Sequence, residues 1–209
     1  MVIYNIKTNG SSSELIIEII NDAVSIESNA VAYVEGDLEL DGNQGTVRDR
    51  IKAFFIGKKF FKPVYKGTGK IYTKPTLGNY HKFNVKDTDN LIINNNAFIA
   101  CRQSIKLIPQ FNPSLIKFLS GSPMVENLVK GTGSVVVRMS GPVEELQLTN
   151  GKFVAYSKDI AAYSASLKVT RESPGKGWLN IVQQLVRIYR GSGIVYFTPH
   201  PNKDSKSNS

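Results

Sequence analysis

The sequence predicts an all-β protein: a closed β-sandwich or barrel, double-stranded β-helix-like, made of three internal repeats with pseudo-threefold symmetry and carrying short inserted helices. Three observations carry this expectation. Apolar and polar residues alternate over several short runs, the pattern of half-buried strands. A short phrase, basic residue–Gly–Ser/Thr–Gly followed by an apolar run, occurs as KGTGKIY (66–72), KGTGSVV (130–136) and RGSGIVY (190–196). The segments ahead of these phrases resemble one another, and internal similarity of that kind marks repeated architecture.

Taken in chain order, VIYNI (2–6) matches the strand that follows a Gly-x-Gly phrase, as in GKIYTKP, so the chain is expected to close on itself. NDAVSIESNAVAYVEGDLEL (21–40) lies over DNLIINNNAFIACRQSIKL (89–107), with Ala30 on Ala97, Ile26 on Ile93 and Leu40 on Leu107. LQLTNGKFVAYSKDIAAYS (146–164) gives a third copy, with Phe153 on Phe98. Each copy is an alternating run, an Asn or Gly where φ > 0 is cheap, then a second and a third run. The inserts RDRIKAFFIGKKFFKPVY, NPSLIKFLSGSPMVENLV and GKGWLNIVQQLVRIY stand between the copies and the glycine phrases. In the second, Asn112 is placed to cap a helix, with Pro113 in its first turn and Gly121 closing it. In the third, Trp178, Val182 and Leu185 share a helical face. Closure would remove the exposed edges that an open sheet leaves. The expected organisation is one β domain over 1–198, with repeats at about 1–63, 64–128 and 129–198, and a disordered polar tail over 199–209.

The glycine phrases are turns or bulges, not phosphate loops. A phosphate loop needs a glycine five residues before its second one, Ser or Thr after the lysine, and a helix beyond. Here position 64 is valine, Ile71 follows Lys70, and an alternating strand comes next. The other two copies lack the lysine, and no copy has the third glycine of a dinucleotide fingerprint.

The 209 residues contain one cysteine, Cys101, and two histidines, His81 and His200. An internal disulfide is therefore excluded, and the usual nitrogen and sulfur metal sites lack donors. His81 sits in the strand-like YHKFNV as an ordinary strand residue, and His200 lies in the tail. Neither stands beside a nucleophile motif. The acid pairs Glu144–Glu145 and Asp87–Asp89 do not make a general acid–base constellation, because strand neighbours point to opposite faces and KDTDN reads as a turn. The expectation is a non-enzyme with no catalytic, cofactor or metal residues and no small-molecule substrate. No apolar run reaches the roughly 20 residues of a spanning helix, and no signal pattern opens the chain, so a cytoplasmic protein is expected.

Net charge is +9 and unevenly spread. Residues 1–49 hold nine acids and two bases; residues 50–86 hold ten bases and no acid. The acidic part of one molecule is expected to face the basic part of another, giving salt-sensitive self-association. Within KAFFIGKKFFKPVYKGTGKIYTK (52–74), lysines interleave with aromatic rings. Lys58, Lys59, Lys62, Lys66, Lys70 and Lys74 are candidate contacts to an anion or single-stranded RNA, since such binders pair a basic groove with stacking faces. An anionic membrane surface is a further partner for the same stretch. The plainer reading is a solvated strand face with its aromatics turned inward.

The ordered series LELDG, FFIGKKFFKPVYKGTGKIYTKP, LIINNNAFIACRQSIKL, LVKGTGSVVVRMSGP, LQLTNGKFVAYSKDIAAYS and GSGIVYF resembles the family of altered inheritance of mitochondria protein 24, over roughly residues 2–200. That resemblance implies duplicated β units in a barrel-like sandwich similar to the tryptophan RNA-binding attenuation protein. It carries no catalytic residues. The leading expectation is a β-scaffold or protein-interaction module working through protein partners or self-association. The alternative is RNA binding through 52–74.

Overall fold

Alternation in the sequence becomes strand after strand in the computed structural model, which describes residues 1–9, 12–41, 62–110, 126–156, 159–172 and 186–199. The strands are β1 (Val2–Asn9), β2 (Ser12–Ile26), β3 (Val31–Asp41), β4 (Val64–Thr73), β5 (Thr76–Leu77), β6 (Asn79–Val85), β7 (Leu91–Asn94), β8 (Phe98–Arg102), β9 (Lys106–Gln110), β10 (Glu126–Lys130), β11 (Gly133–Met139), β12 (Glu144–Tyr156), β13 (Ile160–Ser164), β14 (Lys168–Glu172) and β15 (Val186–Phe197). Among the described residues there is no α-helix. The helix positions expected in the inserts, 112–121 and 178–185, and the tail from residue 200 lie outside the described residues, while the last residues of each insert lead into β4, β10 or β15.

All pairings are antiparallel and form two sheets. The first runs β3-β4-β2-β8-β11-β6, with β1 and β5 also on β2; the second runs β12-β15-β13-β7-β10-β9, with β14 also on β15. This corrects the expectation of a closed barrel. Among the described residues no pairing joins the two ends of either sheet. The expected closure by the first strand fails for a local reason: β1 folds back on β2 as a hairpin, Val2 opposite Ile19 and Asn9 opposite Ser12.

Three of the places where the chain passes between the sheets are breaks that lie side by side. β6, β8 and β11 lie in the first sheet, while β7, β9 and β10 lie in the second. The breaks are Lys86–Asn90, Gln103–Ile105 and Gly131–Thr132. They hold one another: Gly131 N–H donates to Asp87 Oδ1 at 2.7 Å, Ser104 Oγ–H donates to the Thr132 carbonyl at 2.8 Å, and the Lys130 ammonium donates to Asn90 Oδ1. Three adjacent strands turn out of one sheet and into the other along this crease.

The other two glycine phrases stay within continuous strands, as the reading of structural bulges required. Opposite β4, strand β2 slips register between Ile19 and Asp22; opposite β15, strand β12 slips between Leu148 and Gly151. Asn21 and Asn150 take the left-handed turn at those slips, with φ of 46° and 47°. Each then exchanges hydrogen bonds with the hydroxyl between the opposing glycines, Thr68 or Ser192, at 3.0–3.1 Å. Gly67 has no room for a side chain: its φ is +134°, and a Cβ there would sit 2.2 Å from the Asp37 carbonyl oxygen.

Burial follows the two-residue period. Along β2, Leu15, Ile17 and Ile19 are fully buried while Glu14, Ile16 and Glu18 are not. Each such aliphatic side chain contributes about 1.5–3 kcal/mol of burial. The core is three clusters instead of one barrel interior. Val135 and Val137 of β11 enter a cluster with Phe98 and Ile93, whereas Val136 between them enters another with Ile17 and Tyr80. A third gathers Tyr163, Tyr189, Leu148 and Val195.

Candidate functional site

The basic–aromatic stretch is divided by the strand it forms. Lys58 and Lys59 lie outside the described residues. On β4, Lys66, Thr68, Lys70 and Tyr72 alternate with Tyr65 and Ile71, which pack in the cluster around Ile17. Lys74 is exposed in the bend beyond β4. Lys62 turns the other way, its ammonium 3.6 Å from the centre of the Phe98 ring and donating to Asn95 Oδ1 at 3.3 Å. Among the described lysines, Lys62 therefore stands apart from Lys66 and Lys70.

Acidic neighbours occupy the face that carries Lys66 and Lys70. In β3, Glu35 lies opposite Lys70 and Glu39 opposite Lys66; on the other side of β4, Glu18 of β2 also lies opposite Lys70. Glu14 faces Lys7 one strand further on. Tyr72 donates its hydroxyl to Glu35 Oε2 at 3.0 Å and stacks on Tyr33, centroids 4.4 Å apart. With Asp37 added, the carboxylates outnumber the lysines on this face. The acidic run and the basic run of the sequence are thus adjacent strands of one molecule.

Beyond β3, the sheet has no further strand among the described residues. Most of β3 is exposed on both faces, including Tyr33 and Leu40 at 57% each. Among the described residues it is one of two long edge strands, the other being β12 of the second sheet.

A second group of polar side chains is buried where three strands begin. Arg187 and Glu126, 1% and 5% exposed, form an ion pair through Nη1 and Oε1, and Tyr163 donates its hydroxyl to Glu126 Oε2 at 2.8 Å. Burial raises the Tyr163 phenol far above its ordinary range, and Glu126 adds to this. For Arg187, burial works against the charge, but Tyr189 and Glu126 outweigh it and the guanidinium stays protonated. Next along β10, Asn127 donates to Asn95 Oδ1 at 2.9 Å, the atom that also accepts from Lys62. Glu126 is the first residue of β10 and Arg187 the second of β15, and Lys62 stands two residues before β4. The sequence analysis missed this group. Its signal was Arg187 two residues before Tyr189 in VRIYR, a charge on the inward parity of an apolar strand.

Burial pulls the Lys62 ammonium down to about 8, against 10.5 for a free lysine. The unfolded chain therefore binds more protons between those values, and stability rises with pH across that window. Below pH 8 both states are protonated and the full penalty stands. Lys62→Met is expected to be more stable than the wild type at neutral pH by roughly 1–3 kcal/mol, with the gap closing as pH rises toward 10.5. Urea midpoints of both proteins across that range check it; a gap that is constant with pH contradicts the assignment.

Cys101 is buried and its thiol is pushed up to about 12 by burial. His81 lies in β6, its ring edge against Phe83 at 4.5 Å, and burial lowers its pKa. Among the described residues no group of three His, Cys, Asp or Glu side chains could hold a metal ion, and no helix is long and apolar enough to cross a membrane.

Comparison with known proteins agrees with the fold. No curated protein matches the chain. Seven chains of known structure match, among them the crystal structure of a protein from Streptococcus pyogenes. That protein superposes with a TM-score of 0.76 at 17% identity, covering 95% of this chain and 94% of its own, which shows a shared fold. The family model described as mitochondrial biogenesis AIM24 matches residues 4–200, nearly the whole β structure, and the chain belongs to that family.

Proposed function

We propose that the chain is a non-enzymatic β-scaffold that engages other proteins. The observation that carries this is the β3 edge: eleven residues long, exposed on both faces, and paired on one side only among the described residues. The ionic groups described above hold strand against strand, which is the work of a scaffold. Three structural repeats with pseudo-threefold symmetry would suit that role. Their support is that β4, the β10–β11 pair and β15 each carry a Gly-x-Gly phrase and each lie between two earlier strands.

Single-stranded RNA is the weaker reading, because Glu18, Glu35 and Glu39 flank the very lysines it needs. A labelled mixed RNA pool titrated between about 50 and about 200 mM salt separates the two. The expected result is no steeply salt-dependent binding and no difference for Lys66→Ala/Lys70→Ala. Steep binding abolished by that double variant would replace the scaffold reading with the RNA one. In-cell crosslinking of the intact protein should yield protein–protein crosslinks; none at all would sink the scaffold reading.

A further inference from the structure

We infer that the edge of β3, unpaired among the described residues, receives an extended segment of a partner protein with lysine or arginine at alternate positions and apolar residues between them. This rests on the scaffold reading and names the partner's chemistry. An unpaired strand edge offers a row of backbone N–H and C=O groups to an incoming strand. Side chains decide which strand is accepted. Glu35, Asp37 and Glu39 share one face of β3 at every second position, about 6.8 Å apart. Val34 and Leu40 lie on the other face, 37% and 57% exposed. A strand added here has its own side chains directly opposite these, so it must present cations on one face and apolar groups on the other.

Carboxylates on an edge also guard against aggregation. That alone does not account for the exposed Tyr33, Val34 and Leu40 in the same strand, which a guarded edge would replace with polar residues. The charge pattern also selects against a second copy of this chain. Two β3 edges paired antiparallel would set Glu35, Asp37 and Glu39 against one another, and like charges directly opposite are destabilising. Asp37 lies opposite Thr68 within its own sheet, so no lysine of β4 stands directly across from it.

The test uses a fluorescein-labelled peptide of alternating lysine and valine, about ten residues long to match the strand, and a control of the same composition with its lysines contiguous. Anisotropy gives affinity, and backbone hydrogen exchange gives location. The alternating peptide is expected to bind at least about tenfold more tightly than the control. It should slow exchange within residues 31–41, and Glu35→Lys/Asp37→Lys/Glu39→Lys should weaken it by at least about tenfold. The exchange footprint on the wild type decides the matter even where that variant fails to fold. Equal binding of both peptides, protection elsewhere, or no binding overturns the inference. A concentration-dependent dimer protected at β3 overturns it in favour of a second copy. If the peptide fails while in-cell crosslinks to other proteins persist, the scaffold reading stands and only the β3 assignment falls.

Discussion

Arg187→Met is expected to lower stability by about 3–5 kcal/mol, the cost of leaving one partner of a buried ion pair uncompensated. Glu126 would be left at 5% exposure without its guanidinium partner, with the Tyr163 hydroxyl as its remaining side-chain donor among the described residues. The double variant Glu126→Gln/Arg187→Met should recover most of the loss. The amide oxygen still accepts from Tyr163, and neither site then buries a charge. Urea unfolding of the two single variants and the double gives the coupling directly. If the double variant is as unstable as the sum of the singles, the two side chains do not act as a pair. The result also bears on the inserts, because Glu126 and Arg187 open the strands that follow two of them. A large coupling would mean that the starts of β10 and β15 are locked to each other by charge.

Gly131→Ala is expected to cost at least about 2 kcal/mol, since a positive φ and a backbone clash act together there. Its φ is +102°, and an added Cβ would lie 2.2 Å from the Ser104 carbonyl oxygen. Nothing at that spot can move without disturbing the crease, because Ser104 Oγ and Gly131 N–H are both committed in it. Gly191 supplies the comparison. Its φ is +118°, but the nearest atoms to an added Cβ are 3.9 Å away, so Gly191→Ala should cost only about 1 kcal/mol of backbone strain. Gly151, where the nearest atom is a flexible Leu148 methyl at 3.4 Å, should be affected least. Thermal midpoints in the order Gly151→Ala, Gly191→Ala, Gly131→Ala, falling, check the ranking. Reversal of the last two would show that φ alone sets the cost.

The strands were legible because period-two alternation is a local signal: SELIIEI and GSVVVRM carry their inward residues on their face. The glycine phrases were legible as structural positions for the same reason, although the extra residues at the slips belong to the opposing strands β2 and β12. The division into two open sheets was not. It depends on KDTDN, QS and GTGS lying side by side, which is a fact about three distant segments and appears in none of them alone. The candidate lysines show the same limit. Lys62, Lys66 and Lys70 are four residues apart in sequence, yet Lys62 lies over Phe98 while the other two face solvent among glutamates. Composition records the seven lysines of residues 52–74, not which carboxylates the sheet will set beside them. The Glu126–Arg187 pair spans 61 positions, and only the position of Arg187 in VRIYR hinted at it.

The placement of β15 has a consequence for the order in which the protein can be built. Among the described residues, β12 and β14 pair with β15 and with no other strand, and β15 is the last to be synthesised. Among the described residues the first sheet has all its strands once Met139 has emerged, because β11 is its final member. Strands β12 and β14 must then wait for 186–197 before their backbone groups find partners, whereas β13 already has β7 to pair with. The growing chain thus carries one paired sheet and one still missing the partner of β12 and β14, and its vulnerable interval on the ribosome is set by the distance from Glu144 to Phe197.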